Sequence, residues 1–570
     1  MTKHATELPE LRQHIARYLN FGTLKACTLV CKAWHLDLHS VLWRRFSYKD
    51  PESLSKSPEE YATWLDITSR KAHLFQHICH KEYRRPTAPE IRDILLDQCH
   101  GLITIEAFVT GVGAWGLVRN WEEILWPLIE QNKASLRKLQ LREVLSSSVM
   151  TSLHLPNLLS DLSRLQSLDL EMTSTLEDLL PILDACPNSL KFLLLRSHIQ
   201  RRKVYQESSA PDQQQSPSQS IIHQAATTTT PPLRLKHLGI YGCYNGTLWD
   251  VLSRIAAHSL ESLQVNDIIN SPSSLQVFPA LRDTLSRLTD LHIERRRPKH
   301  DPLLPMILAA LPPQQLRNLH LGTMDTECTT MLTDRQHQSL ESLHVGFVRD
   351  HGGALGDILA TCSKLKSLEF RTEPFVDIRT LTDSQKPWVC TELEVFKGSF
   401  GLSPFPFPLA SNENHGVGGP KQEDEEGDEK VTAIYPVASD SVEGLFMQQV
   451  GRLTKLRRLA QSLDKTAHYY LDDIEGVEGV ESKDIMKWTL SSGLTHLADL
   501  VNLEWLEFIG ADLPKGIGPP EFLFIKRHWP NLRGFTCYSV DSVQAQVWLA
   551  IQWPESRVEM QMNVHSRLGH

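Results

Sequence analysis

The stretches RLTDLHI (287–293), QLRNLHL (315–321), SLESLHV (339–345) and KLKSLEF (364–370) carry one pattern four times over, apolar-x-x-apolar-x-apolar. Their leading leucines, Leu288, Leu316, Leu340 and Leu365, recur every 24 to 28 residues. Alternating apolar residues in so short a run predict a strand with one face buried. A unit that short cannot bury its apolar face alone, so it must stack on copies of itself. The same pattern extends upstream through SLRKLQL (135–141), RLQSLDL (164–170), SLKFLLL (189–195), RLKHLGI (234–240) and SLESLQV (259–265), with GLITIEA (101–107) as a possible first member. Downstream it continues, more weakly, through ELEVFKG (392–398), KLRRLAQ (455–461), NLEWLEF (502–508) and NLRGFTC (531–537).

Helical stretches fill the intervals, for example LEDLLPILDAC (176–186), LWDVLSRIAAH (248–258) and LGDILATC (355–362). Strand-plus-helix units at this spacing resemble leucine-rich repeats, whose period is about 20–29 residues. The resemblance implies an α/β fold, a curved solenoid with a parallel β-sheet on its concave face. The Asn or Cys usual after the strand is mostly missing: Cys243 holds that place in one repeat, Thr173 and Met324 in others. Longer intervals mark insertions. Two of them, near 202–232 and 409–432, are Gln/Ser/Pro/Thr-rich and acidic respectively, and such polar tracts predict disorder.

The 570 residues carry 59 Lys+Arg against 68 Asp+Glu, a net charge of −9. Six of those acids fall between Glu423 and Glu429. That balance argues against general nucleic-acid binding, which needs clustered base, and the short basic runs Arg201–Lys203 and Arg295–Lys299 read as solvated loops. No apolar run is long enough for a membrane helix, and 10 scattered Cys without a CxxC pair suit a reducing compartment. A cytoplasmic or nuclear protein is expected.

Residues 7–46 read ELPELRQHIARYLNFGTLKACTLVCKAWHLDLHSVLWRRF. Leu8, Leu11, Ile15 and Leu19 form one helical stripe, and Leu24, Cys27, Val30, Cys31 and Trp34 another, with a turn at Asn20–Thr23. The Leu8-Pro9-Glu10 start, the Val30-Cys31-Lys32-x-Trp34 run and the closing Leu42-Trp43 resemble the F-box motif. That resemblance implies docking on a Skp-family adaptor and, through it, a cullin. Carried over by position, the docking and core residues are Leu8, Pro9, Ile15, Leu19, Leu24, Val30 and Trp34. A generic helical hairpin is the plainer reading of the same residues.

Two chemical motifs were weighed against structural readings. Gly111, Gly113 and Gly116 spell G-x-G-x-x-G between a strand and a helix, as in dinucleotide sites, but Trp115 adds bulk and no acidic residue follows at the required distance. His73, His77, Cys79 and His80 in HLFQHICHKE, with Cys99-His100 beyond, are metal-ligand types at spacings that match no standard zinc module; a helix with exposed His is expected there. No catalytic residue, cofactor or metal is assigned.

Strand alternation places the residues between the leucines on the concave face. His292, His320 and His344 take the same slot in three consecutive repeats, which predicts a ladder about 10 Å long at strand spacing. The candidate substrate-binding residues are Tyr241, Asp290, His292, Glu294, His320, His344, Glu369, Arg371 and Trp505. The sharp reading is a ligand surface that loses cationic ligands when the His are protonated; the plain one is a hydrated polar face.

Together the motifs resemble F-box/leucine-rich-repeat proteins: residues 1–46 an F-box, 47–100 a helical linker, 101–545 the solenoid, 546–570 a cap or tail. The implied function is a non-enzymatic substrate-recognition adaptor of an SCF-type ubiquitin ligase, with a Skp-family adaptor and a protein substrate as partners and no membrane or nucleic acid. The alternatives are a non-ligase interaction scaffold and a nucleotide-binding enzyme using Gly111–Gly116.

Overall fold

Each leucine of the repeated pattern is buried, and this burial organises the chain. In the strand Ser342–Val345, for example, Leu343 and Val345 are fully inside while Ser342 and His344 are half-buried. At about 2 kcal/mol for each fully buried leucine, the inward side supplies the main driving force of every repeat. The computed structural model describes residues 9–16, 18–19, 21–48, 57–82, 89–109, 118–145, 155–172, 179–197, 231–242, 248, 251–266, 282–294, 303–348, 353–371, 376–382, 386–402, 441–462, 486, 488–509 and 518–537. The expected insertion near 409–432, residues 202–230 of the other, both basic runs, Gly111–Gly116, Cys243, Thr173 and the tail 546–570 lie outside them.

The chain divides into two units, Met1–Leu288 and Thr289–His570. The first begins with three helices, α1 (Pro9–Ala16), α2 (Phe21–Thr28) and α3 (Lys32–Leu42). Its described strands are β1 (Arg45–Tyr48), β2 (His77–Glu82), β3 (Thr104–Val109), β4 (Lys138–Leu145), β5 (Ser167–Met172), β6 (Phe192–Ser197), β7 (His237–Tyr241) and β8 (Ser262–Asn266). Each pairs in parallel with the next in sequence. Strand order equal to chain order is the topology of a solenoid. Helices α4 (Pro58–Lys71), α5 (Pro89–Gln98), α6 (Val118–Gln131), α7 (Leu155–Asp161) and α8 (Leu179–Ala185) lie between the strands in sequence.

The second unit repeats the plan. Strands β9 (Asp290–Glu294), β10 (Asn318–Leu321), β11 (Ser342–Val345), β12 (Ser367–Phe370), β14 (Val395–Gly398), β16 (Arg458–Ser462), β17 (Trp505–Ile509) and β18 (Gly534–Cys537) again pair in parallel in chain order. A separate short pair joins β13 (Val376–Asp377) to β15 (Phe400–Gly401). The helices are α9 (Leu303–Ala310), α10 (Thr326–Arg335), α11 (Gly353–Thr361), α12 (Ile378–Thr382), α13 (Val442–Gly451) and α14 (Pro519–His528). Asp325 caps α10 by accepting from the Cys328 N–H at 2.9 Å, and Ser441 caps α13 by accepting from the Gly444 N–H at 3.0 Å.

The parallel strands fall where the repeated pattern puts them, including the degraded ELEVFKG. The segment 47–100 differs from the all-helical linker expected. It holds α4 and α5, but β2 crosses it and pairs with β1 and β3, so sheet pairing starts before residue 101. The reason is local: Phe75, Ile78 and Cys79 are buried, and Phe75 stacks on Phe46 of β1 at 4.7 Å. Two buried amides, absent from the sequence-derived candidates, tie repeats together. Asn132 Oδ1 accepts from the Leu102 N–H at 2.8 Å while its Nδ2 donates to the carbonyls of Cys99 and Leu128. Gln336 Oε1 accepts from the Gln315 and Leu316 N–H groups, and its Nε2 donates to the Pro312 carbonyl. Both precede a Ser-Leu pair by three residues, Asn132 before Ser135-Leu136 and Gln336 before Ser339-Leu340. That shared spacing is the signal that could have found them.

Candidate functional site

At the amino terminus, Ala16, Leu24, Leu38 and Val41 form a small core, with Leu19, Cys27, Trp34 and Leu42 packed against it. Arg12 pairs with Asp37 across α1 and α3. The residues expected to dock and to fill the core therefore separate into two sets. Leu24 is buried, and Leu19 and Trp34 lean on the core. Pro9 is exposed, Ile15 is 42% exposed and Val30 67%. Leu8 lies outside the described residues. Tyr18, Leu29 and Leu36, at 77%, 77% and 66%, add apolar surface that the stripe-based reading did not select. Their positions fall off the inward stripe, which is why periodicity alone passes over them.

On the sheet, β9, β10, β11 and β12 are held in one register. His292 stands opposite His320, His320 opposite His344, and His344 opposite Glu369. The three imidazoles stack, with centroids 3.8 Å and 4.0 Å apart and planes within 11° and 13° of parallel. The rings are closer than the strands that carry them, because side chains lean toward ring contact from backbones about 4.8 Å apart. Glu369 Oε2 lies 3.6 Å from His344 Nδ1 at one end, and Glu294 Oε2 lies 3.9 Å from His292 Nε2 at the other.

His320 and His292 are poor proton acceptors. Burial, then the neighbouring His292 and His344, push His320 down to about 4. Burial also lowers His292, against the opposing pull of Glu294. His344 holds the Glu369 carboxyl below the ordinary glutamate range, offsetting its partial burial, with help from Lys397 and Arg458.

The other expected residues do not all join this group. Asp290 is engaged by other partners, accepting from the Thr289 hydroxyl at 2.6 Å and from the Asn318 side-chain amide. Arg371 follows β12, exposed, its backbone N–H donating to the Val345 carbonyl at 2.9 Å. Trp505 lies flat across Gly534, with a ring carbon 2.0 Å from where a Cβ would stand there. Tyr241 belongs to the first unit, where the Arg196 guanidinium sits 4.9 Å from its ring centre. Arg196 in turn shares Asp169 with Arg142, at 3.3 Å and 2.9 Å, and Gln140 donates to the same carboxylate. Strand alternation puts these residues on the concave face, but their pairing at Asp169 is not legible in the sequence, because the partners lie 27 to 29 residues apart along the chain.

The helix carrying His73 and His77 on one face does not form: His73 sits in a short 3-10 turn, while His77 and Cys79 lie in β2, on one side of that strand. Cys99 is buried and donates to the Ala72 carbonyl at 3.6 Å. Among the described residues no three His, Cys, Asp or Glu side chains gather as metal ligands, and no helix is long and apolar enough to cross a membrane. No protein-family model and no curated protein matches the sequence.

Proposed function

We propose that this chain is the non-catalytic substrate-recognition subunit of an SCF-type cullin ubiquitin ligase. Its amino-terminal helices dock on a Skp-family adaptor, and the outward face of its parallel sheet holds a protein substrate. Ubiquitin transfer is then accelerated by proximity to the conjugating enzyme, with no covalent step, cofactor or metal on this chain. The observation that carries the reading is the apolar surface left at the turns between three small helices, where Val30, Leu29 and Tyr18 are each more than half exposed beside a formed core. Exposed apolar residues gathered beside a filled core mark an interaction surface.

Affinity capture of the full chain with co-expressed adaptor and cullin tests this. Both partners should be retained by the native chain and lost with Val30→Asp and Ile15→Asp, which alter the exposed set without touching Leu24. Retention of the adaptor by both variants would refute the docking surface. Adaptor without cullin would favour an interaction scaffold instead.

A further inference from the structure

Two residues beyond the histidines, on the same side by strand alternation, stand Glu294, Gly322, Gly346 and Arg371. The two central positions have no side chain, so a bare floor runs beside His320 and His344. Gly346 is required there: a Cβ would lie 2.8 Å from the Gly322 carbonyl oxygen, which itself therefore faces the floor. The surroundings accept hydrogen bonds. Each neutral imidazole offers one acceptor nitrogen, the Gly322 carbonyl adds another, and Glu294 and Glu369 bound the stack with charge. Outward positions of β9, β10 and β11 hold the acids Asp290 and Glu294 and no Lys or Arg. Among the described residues the bases that act on the stack and on Glu369, namely Arg371, Lys397 and Arg458, lie toward the β12 side, where Lys397 and Arg458 act on Glu369 and Arg371 on His320.

We infer that the stacked histidines and the Gly322–Gly346 floor form a site for a basic side chain, arginine foremost, on an extended segment of the protein partner. A guanidinium carries five N–H donors and no acceptor, and its flat face matches an imidazole edge-on or stacked. Its charge is met by Glu294 and Glu369. The same chemistry makes the site acid-sensitive. A proton on any ring places a cation beside the bound cation, and stacked rings at about 4 Å cannot share that charge with solvent. Binding thus weakens as His292 and His320 take up protons on acidification.

The inference rests on the reading of this face as the substrate surface, but its test needs no ligase partner. The full chain, labelled with 13C at histidine Cε1, is titrated with acetyl-Ser-Gly-Arg-Gly-Ser amide and with the same peptide carrying citrulline or glutamate in place of arginine. Signals assigned by single His→Gln variants at His292, His320 and His344 should shift saturably with the arginine peptide and not with the other two. Affinity should fall severalfold between about pH 7.5 and pH 4 as like charge replaces a neutral wall. Glu294→Gln should weaken binding severalfold, and Gly346→Ala should abolish it by filling the floor. If Gly346→Ala fails to fold, Glu294→Gln, a surface change, carries the test. Equal response to citrulline, or an affinity indifferent both to pH and to Glu294→Gln, would overturn the site. Adaptor capture in the absence of peptide reads the ligase assignment separately, so either can fail alone.

Discussion

His320 and His344 stack face to face, ring centres 4.0 Å apart and planes 13° from parallel. The two rings cannot both be charged without repelling each other, and His320 has a second such neighbour in His292. The arrangement turns a register rule of parallel strands into an electrostatic constraint.

That constraint predicts acid sensitivity of the fold. The folded pKa of His320, about 4, lies below its unfolded value of 6.5, so between those values the unfolded chain binds the extra proton. The stabilising effect of neutral His320 is complete above pH 6.5 and is lost as pH falls toward 4; His292 shifts the same way. The urea midpoint should drop from pH 7 to 5 in the native chain and drop less in His320→Gln. Identical pH slopes would contradict the shift.

Asn132 satisfies one buried N–H and two carbonyls at once. Replacing it with leucine, close in size but without hydrogen bonds, should cost about 2–4 kcal/mol by leaving the Leu102 N–H and the Leu128 carbonyl without this partner, while the Cys99 carbonyl keeps Gln131. Equilibrium urea unfolding measures it, and a cost under about 1 kcal/mol would show that water or relaxation satisfies the groups.

Asp169, buried on β5, holds Arg142 and Gln140 of β4 and Arg196 of β6. Asp169→Ala strands two half-buried guanidinium groups and should cost about 2 kcal/mol, discounted for their exposure. Adding Arg142→Ala should then cost less than in the native background, a coupling that a double-mutant cycle reads directly.

The residue after each leading leucine in the second unit alternates in sign: Arg317, Glu341, Lys366, Glu394, Arg457, Glu504 and Arg533. Backbone bonds set each beside the next, as from the Lys366 N–H to the Glu341 carbonyl at 2.7 Å. The side chains pair accordingly, Lys366 with Glu341 at 2.6 Å and Arg457 with Glu504 at 2.7 Å. Lys366→Glu, which puts three acids in a row, should lower the melting temperature at low salt, and the loss should largely vanish near 1 M salt because such exposed charges are screened there. A loss indifferent to salt would point to packing instead.

The strands of the second unit were legible because the signal is redundant: Leu343 and Val345 repeat the instruction of Leu291 and Ile293. The strand His77–Glu82 was hidden, since HLFQHICHKE fits helical spacing until Phe75 and Ile78 find their partners across the sheet. The amino-terminal residues expected to dock could be named but not divided into core and surface, a division that needs the crossing of α1, α2 and α3.

Sequence alone determined the repeat, its alternation and the column in which the three histidines fall, because each follows from a local period that every copy states independently. The tertiary structure decided how close those rings come, which carboxylates reach them, and that Asp290 and Trp505 turn to other neighbours. Those outcomes depend on side-chain rotamers and on partners tens of residues away, and no local period encodes them.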